Sequence, residues 1–180
     1  PIMSDSEFDA LEDELRRLDP ENSYFQTVGI ETREGAKIEH SIPMLSMGKA
    51  RNAEEVQKWM KRLDYDGPMI MEPKIDGLSA TCRYRDGRLQ YVATRGDGRL
   101  GQDVSHVVRY IDDIRDSISF TSEQIEIRGE LYLPRDTEFD TGGRPLRNNC
   151  VGLVNRKENF EDLKYVRFAV YQIAGPAGVR

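Results

Sequence analysis

Two stretches of this 180-residue chain carry apolar residues at the spacing of an amphipathic helix. The first follows a capping box made by Ser4 and Glu7, and it ends at Asp19-Pro20. Its apolar stripe consists of Phe8, Leu11, Leu15 and Leu18. Because one short helix is not stable alone, we predict either the remnant of a helical subdomain or a flap on the main body.

The second helical stretch begins with another capping box, Asn52 with Glu55. Its apolar stripe consists of Val56, Trp59, Met60 and Leu63. We predict an amphipathic helix with Trp59 in the core. Between the two helices, residues 21–39 are polar and read as a linker, while residues 40–47 are apolar around Pro43 and predict an extended segment.

Five later runs have the short apolar or alternating pattern of β-strands. They are residues 69–71, 78–85, 88–95, 125–133 and 166–173. Asp86-Gly87 separates two of these runs by two residues, which is a strong signal for a tight hairpin. We therefore predict the α+β class, with mostly antiparallel sheets and flanking helices.

The run at 125–133 alternates apolar residues with a polar face that either lines a cleft or meets water. That polar face consists of Glu126, Arg128, Glu130 and Tyr132.

Asp103 is predicted to cap a further short helix, on which His106 points to solvent rather than to a ligand. Residues 136–149 read as a loop.

A small set of cations near this loop is the best candidate for a phosphate-binding patch, and a solvated loop is the alternative. The set consists of Arg144, Arg147, Arg156 and Lys157.

Composition narrows the class of protein without identifying it. With 38% hydrophobic and 32% charged residues, the chain can form one domain, or one domain with a small appendage. Its net charge of −6 predicts little affinity for DNA by itself. No apolar run approaches the ~18 residues of a membrane span. The two cysteines form neither a disulfide framework nor a zinc motif, and we expect a cytoplasmic monomer.

The chemistry of the chain is concentrated at residues 72–77, where Lys74 lies between Glu72 and Asp76. A lysine at the mouth of a buried strand is partly desolvated, which favours the nucleophilic neutral amine. The flanking carboxylates stabilise the ammonium instead, or bind a cation or a ligand hydroxyl. An ordinary acidic surface loop remains the alternative. Further on, Arg95 precedes three glycines within residues 96–101, which indicates close approach to a ligand or merely a flexible turn.

Four segments, in this order, resemble those of the bacterial NAD-dependent DNA ligases. Residues 40–47 resemble H-x-x-P-M-L-S-L and residues 72–77 resemble E-x-K-x-D-G. Residues 93–103 resemble A-T-R-G-D-G-x-x-G-x-D, and residues 126–134 resemble E-V-R-G-E-x-x-L-P. The resemblance implies a nucleotidyltransferase fold at residues 30–180. It also implies that residues 1–29 are part of the helical subdomain that binds the nicotinamide mononucleotide (NMN) half of NAD.

Carried over to matching positions, the resemblance implies that Lys74 attacks the α-phosphate of NAD and releases NMN. Glu130 would hold the ribose, Arg95 would lie beside the nucleotide, and Asp76 would help to place Lys74. The remaining implied contacts are adenine with Ser46, Met47 and Glu72, and the NMN half with Asp5, Phe8 and Asp9. The family also implies Mg2+, but we assign no metal ligand from the sequence.

In the intact enzyme, the resemblance implies that AMP passes to the 5′-phosphate of a nick in double-stranded DNA, which is then sealed. The chain lacks the family's two later lysine motifs, and we expect a fragment of such a ligase. Phe8 replaces a tyrosine, and Asn155 stands where a second arginine is expected, so Arg147 and Arg156 receive no role. Two alternatives stay open: an ATP-dependent polynucleotide ligase or capping-type enzyme, and a non-catalytic nucleotide-binding module.

Overall fold

The computed structural model describes residues 5–22, 36–119 and 124–175, with the backbone alone for Asp5, Ser6, Phe8, Asp9 and Glu12. The described α-helices are α1 (Asp5–Leu18), α2 (Ala53–Leu63) and α3 (Leu146–Val154). The described strands are β1 (Lys37–Glu39), β2 (Leu78–Arg85), β3 (Arg88–Thr94), β4 (Leu100–Gln102), β5 (Gln124–Tyr132) and β6 (Arg167–Ala174). Two 3-10 helices span Ser105–Tyr110 and Phe160–Tyr165. None of the described helices is both long enough and apolar enough to cross a membrane.

A four-stranded antiparallel sheet in the order β3-β2-β5-β6 forms the centre of the protein. The short strands β1 and β4 pair separately, also antiparallel. The mixed architecture with antiparallel sheets confirms the coarse class predicted from the sequence. Strand β1 is a correction, because residues 21–39 were predicted to be a linker. Three residues are too short a run to show a period of two.

The β2–β3 hairpin forms where it was predicted. Asp86 and Gly87 both have positive φ, 49° and 75°, as expected for the two central residues of a type I′ turn. Its strands run through residues 78–94, close to the predicted bounds. The local sequence is enough to determine this hairpin, because the turn and the strand pattern agree.

The core lies between one face of this sheet and a layer made by α3 and the two 3-10 helices. Burial of apolar area in this layer is the main stabilising contribution. Its fully buried side chains include Val92, Val107, Ile111, Leu131, Leu153 and Leu163. The helix predicted after Asp103 is a 3-10 helix, and Asp103 Oδ1 accepts hydrogen bonds from the amide and hydroxyl of Ser105. Helix α3 begins at Leu146, so the loop predicted for residues 136–149 is too long by four residues.

His106 differs from its prediction as a solvated residue. Its side chain is half-buried: Nε2 lies 3.1 Å from the carbonyl oxygen of Val154, and the ring packs 5.2 Å from that of Phe160. It therefore joins the two 3-10 helices and α3.

The predicted strand at residues 69–71 does not form. Ile70 and Met71 are 89% and 97% exposed, and the backbone of this stretch is irregular. Pro68 and Pro73 flank it, and neither can donate to a strand ladder. Only four residues remain between the two prolines.

Helix α2 forms as predicted, but Trp59 is not in the core. Its side chain is 44% exposed, and no residue of α2 is buried among the described residues. Asn52 Oδ1 caps the helix by accepting from the amide of Glu55 at 2.9 Å, and Asp64 ends it in the left-handed conformation. Apolar periodicity identifies a face of a helix without determining what covers that face.

Candidate functional site

Ser79 on β2 connects two of the residues predicted to bind a ligand, Glu130 and Arg95. Ser79 lies opposite Glu130 on β5, and its hydroxyl donates to Glu130 Oε2 at 2.6 Å. The carbonyl oxygen of Ser79 accepts from the amide of Arg95 at 2.8 Å. Arg95 Nη1 in turn lies 3.5 Å from Ser46 Oγ, at the long limit of a hydrogen bond. Sequence reasoning missed Ser79, although the alternating polar positions 79, 81 and 83 were a usable signal.

The glycine-rich turn after Arg95 is held in place by hydrogen bonds within the turn. Asp97 Oδ1 accepts from the amides of Arg99 and Leu100 at 2.8 and 2.7 Å. These two backbone hydrogen bonds, with that of Leu100 the larger cause, lower the pKa of the Asp97 carboxyl below its ordinary value. Gly96 has φ of +56°, and a Cβ there would lie 1.9 Å from the carbonyl oxygen of Leu100. The turn itself therefore requires a glycine, independently of any ligand.

Lys74 and Glu72 lie on the exposed, irregular segment that leads into β2. Within the described part of the chain, neither forms a hydrogen bond or an ion pair. The expectation that Lys74 is partly desolvated is therefore wrong for this structure, because the strand that was to bury it does not form. Asp76 Oδ1 lies 3.6 Å from Arg147 Nη1. Both side chains are largely exposed, so this ion pair adds little stability.

Gly77 fixes this segment to the end of the sheet. It is buried, and a Cβ there would lie 2.1 Å from the carbonyl oxygen of Leu131, next to Glu130. Lys74 is three residues away, so its Cα lies within roughly 11 Å of Gly77 along an extended chain. The lysine is thus tethered to the end of the sheet at which Glu130 lies.

The structure says less about the remaining residues predicted to contact NAD. Met47 is 71% exposed and directly follows Ser46. The backbone of Asp5, Phe8 and Asp9 lies in α1, and their side chains fall outside the described residues. Among the residues that the structure describes, no three His, Cys, Asp or Glu side chains form a group that could hold a metal ion.

The predicted phosphate patch is not a cluster of free cations. Arg147 faces Asp76, and Arg156 Nη1 donates to Asp162 Oδ2 at 2.9 Å. Arg156 and Lys157 border a shallow cavity of about 530 Å³ that also contains Glu158. A second cavity, of about 340 Å³, is lined in part by Ser41, Arg83 and Glu126. None of the side chains predicted to contact NAD lines either cavity, so those side chains and the two cavities lie apart.

Residues 40–47, which we call the strap, carry Ser46 to Arg95. His40 is buried, and its Nε2 lies 3.1 Å from the carbonyl oxygens of both Thr94 and Arg95, so Nε2 carries the proton and donates. The amide of His40 donates to the carbonyl oxygen of Arg99, and the amide of Met44 donates to that of Gly98, at 2.8 Å each. The strap is thus joined to the glycine-rich turn.

A hydrogen-bonded group of side chains around the buried Glu126 and Arg128, which we call the anchoring cluster, holds the other side of the strap. It consists of Ser41, Arg83, Glu126 and Arg128. Glu126 Oε1 accepts from Ser41 Oγ at 2.5 Å and from Arg83, and Oε2 accepts from Arg128 at 3.1 Å. The only signals for this cluster in the sequence were the polar face of β5 and the alternating polar positions of β2 that include Arg83.

The comparisons with known proteins agree with the predicted family. Residues 33–145 match the sequence profile described as the NAD-dependent DNA ligase adenylation domain. A DNA ligase of Chloroflexus aurantiacus (strain ATCC 29366 / DSM 635 / J-10-fl) is 38% identical over 217 aligned positions, covering 99% of this chain and 30% of the relative. A DNA ligase of Rhodopseudomonas palustris (strain HaA2) is 41% identical, covering 88% of this chain and 26% of the relative. The chain thus spans less than a third of the length of these relatives.

Proposed function

Because the chain belongs to the NAD-dependent DNA ligase adenylation domain family, we propose that it transfers AMP from NAD to Lys74. The observation that carries this proposal is the meeting of Arg95, Ser79 and Glu130 at the end of the sheet to which Gly77 ties the lysine segment. We further propose the nucleotidyltransferase fold for residues 30–180. Residues 1–29 then contribute part of the NMN-binding subdomain.

The proposed step is a displacement at the α-phosphorus of NAD. The neutral amine of Lys74 forms a phosphorus–nitrogen bond, the bond to the NMN phosphate oxygen breaks, and the amine loses a proton. The products are lysyl-AMP and NMN, so atoms and charges balance. Lys74 is exposed in the structure, so a substrate can reach it, and a nucleotide lying over it would supply the desolvation that favours the neutral amine.

The neighbouring side chains have the chemistry to orient the nucleotide. Glu130, which already accepts one hydroxyl hydrogen bond from Ser79, can accept others from ribose. Arg95 supplies a guanidinium for phosphate. Asp76 places Lys74. We assign adenine to Ser46, Met47 and Glu72, and the NMN half to Asp5, Phe8 and Asp9.

Mg2+ fits this site only as an ion held largely by phosphate oxygens. The described residues offer no cage of three ligating side chains, but Mg2+ is often bound by one or two carboxylates together with substrate phosphates. Glu72 and Asp76, each two residues from Lys74, are the carboxylates nearest to it in sequence. When bound, the ion neutralises the charge that develops on the transferred phosphoryl group.

For the whole enzyme, we propose that the adenylate passes to the 5′-phosphate of nicked DNA. The net charge of −6 supports the view that other parts of the enzyme supply most of the DNA affinity. We propose a monomer in the cytoplasm, where the two buried cysteines, which form no disulfide, would stay reduced.

Intact-mass spectrometry tests the proposal directly. The chain is incubated with NAD and Mg2+, with ATP in a parallel reaction, and any adduct is mapped to a peptide. One AMP on Lys74 from NAD alone is the expected result, and Lys74→Ala should show none. An adduct from ATP would indicate the ATP-dependent branch. No adduct from either nucleotide would leave two readings, a ligase fragment that binds NAD without reacting and a non-catalytic module, which the same assay on a longer chain would separate. An adduct on Lys74→Ala would refute the assigned nucleophile.

A further inference from the structure

We infer that Glu126 and Arg128 are positioning residues that hold the strap so that Ser46 stays beside Arg95. The inference rests on the proposed function, because that function makes Ser46 and Arg95 part of the nucleotide site. Neither Glu126 nor Arg128 is among the residues assigned to touch NAD. Their effect is exerted through the hydroxyl of Ser41 and the carbonyl oxygens of Ile42 and Pro43.

Arg128 makes the most direct connection to the strap. Its Nη2 donates to the carbonyl oxygen of Ile42, and its Nη1 donates to that of Pro43 at 3.3 Å. These two carbonyls precede Met44, whose side chain is 3% exposed. A planar guanidinium with fixed donors suits such a two-point contact better than a lysine does.

Glu126 holds Arg128 in this orientation. The two side chains are only 2% and 5% exposed, and Arg83 completes the neutralisation from β2. Burial alone raises the pKa of Glu126, but hydrogen bonds from Ser41, Arg128 and Arg83 outweigh it and lower that pKa overall. Glu126 is therefore a carboxylate at neutral pH, and removing its charge leaves two arginines uncompensated.

The strap is thus clamped on both sides, by the anchoring cluster and by the glycine-rich turn. His40 and Met44 provide the contacts to the turn, and Arg128 and Ser41 provide those to the sheet. Ser46 lies two residues beyond the last of these contacts. Its weak 3.5 Å contact with Arg95 cannot hold the strap, so its position depends on the clamp.

The test compares Glu126→Gln, Ser41→Ala and Ser41→Thr with a matched control, Asp113→Asn. Asp113 pairs with Arg167 on β6 and contacts no residue of the strap, so its loss reports general destabilisation. Two readouts are taken well below the unfolding temperature: the kinetics of Lys74 adenylation by NAD, and deuterium uptake of peptides covering residues 40–47.

For Glu126→Gln we expect the KM for NAD to rise about tenfold, the effect of weakening charged hydrogen bonds, with kcat changed less than about twofold. Ser41→Ala should raise KM less, and Ser41→Thr, which keeps the hydroxyl, should restore it. The strap amides of Glu126→Gln should exchange faster. Asp113→Asn should match the original protein in both readouts.

Equal KM values for Glu126→Gln and the original protein, or an equal rise in Asp113→Asn, would overturn the inference. If the original protein takes up no AMP, the proposed function fails and exchange alone decides. Faster exchange confined to the strap in Glu126→Gln would then support the positioning role. Unchanged exchange would refute it.

Discussion

Ser79 and Glu130 lie directly opposite each other on neighbouring antiparallel strands, and the serine hydroxyl donates to the carboxylate at 2.6 Å. The carbonyl oxygen of the same serine accepts a hydrogen bond from the backbone amide of Arg95. Ser79 therefore contacts the carboxylate proposed to hold the ribose through its side chain, and the backbone of the residue proposed to contact phosphate through its carbonyl oxygen.

Ser79→Ala should weaken NAD binding without removing the nucleophile. Glu130 loses a hydrogen bond that orients it, and we expect the KM for adenylation to rise roughly five- to tenfold, as for loss of ~1 kcal/mol or more. Labelling kinetics measure the change. Ser105→Ala, which removes a hydroxyl outside the proposed site, is the control. An unchanged KM would show that Ser79 does not orient Glu130 for the reaction.

Gly77→Ala should disturb the segment that carries Lys74. The new methyl would lie 2.1 Å from the carbonyl oxygen of Leu131, so the backbone must move, at a cost of about 1–3 kcal/mol. Gly152→Ala is the matched control: it lies within α3 with nothing inside 4 Å, and it should stabilise by about 0.5–1 kcal/mol. Urea denaturation of both variants measures these effects. Equal effects of both substitutions would contradict the packing of Gly77.

Asp113 should contribute stability that depends on pH. A side-chain hydrogen bond from Arg167 is the main cause that lowers the pKa of Asp113 below its ordinary value of 3.8. A lowered carboxyl pKa adds stability above pH 3.8, and this contribution is lost as pH falls through the folded-state pKa. Asp113→Asn should therefore destabilise by no more than about 1 kcal/mol at neutral pH, because the pair is partly exposed.

The free energy of unfolding of the original protein and of Asp113→Asn, measured by urea denaturation from pH 7 towards pH 3, tests this sign. The difference should shrink as pH falls. A difference that grows on acidification would show that the pKa of Asp113 is raised in the folded protein.

Trp59 is the single tryptophan of the chain, so its fluorescence reports α2 alone. Because the side chain is 44% exposed, we expect emission near that of indole in water and ready quenching by iodide. Trp59→Ala should cost less than the ~3–5 kcal/mol of a core tryptophan. Blue-shifted, unquenched emission would instead mean that another surface covers this face.

The sequence predicted local features well because their signals are local. Asp86-Gly87 determines its hairpin, and Asn52 caps α2 where the capping box indicated. The bond between Ser79 and Glu130 depends on the register of strands about fifty residues apart, which alternation alone does not specify. The exposure of Trp59 shows the same limit of sequence-based prediction, since an apolar stripe on a helix does not identify the surface that covers it.

The site residues show the same contrast between local sequence signals and contacts that are distant in sequence. The resemblance implied roles for Lys74, Arg95 and Glu130, which stay predictions, while the structure joins the Glu130 carboxylate and the Arg95 amide to Ser79. Arg128 and Glu126 were predicted only as a polar strand face. Their role emerges from contacts with the carbonyl oxygens of a segment about 85 residues away.

That separation has a consequence for the order of folding. The β2–β3 hairpin closes a turn of two residues, whereas the contacts of Arg128 with Ile42 and Pro43 close loops of 86 and 85 residues. Long loops cost more chain entropy to close, and non-local contacts form slowly. We therefore expect the strap to dock after the central sheet has formed. A refolding chain would then acquire its β-sheet signal before it acquires the ability to bind NAD.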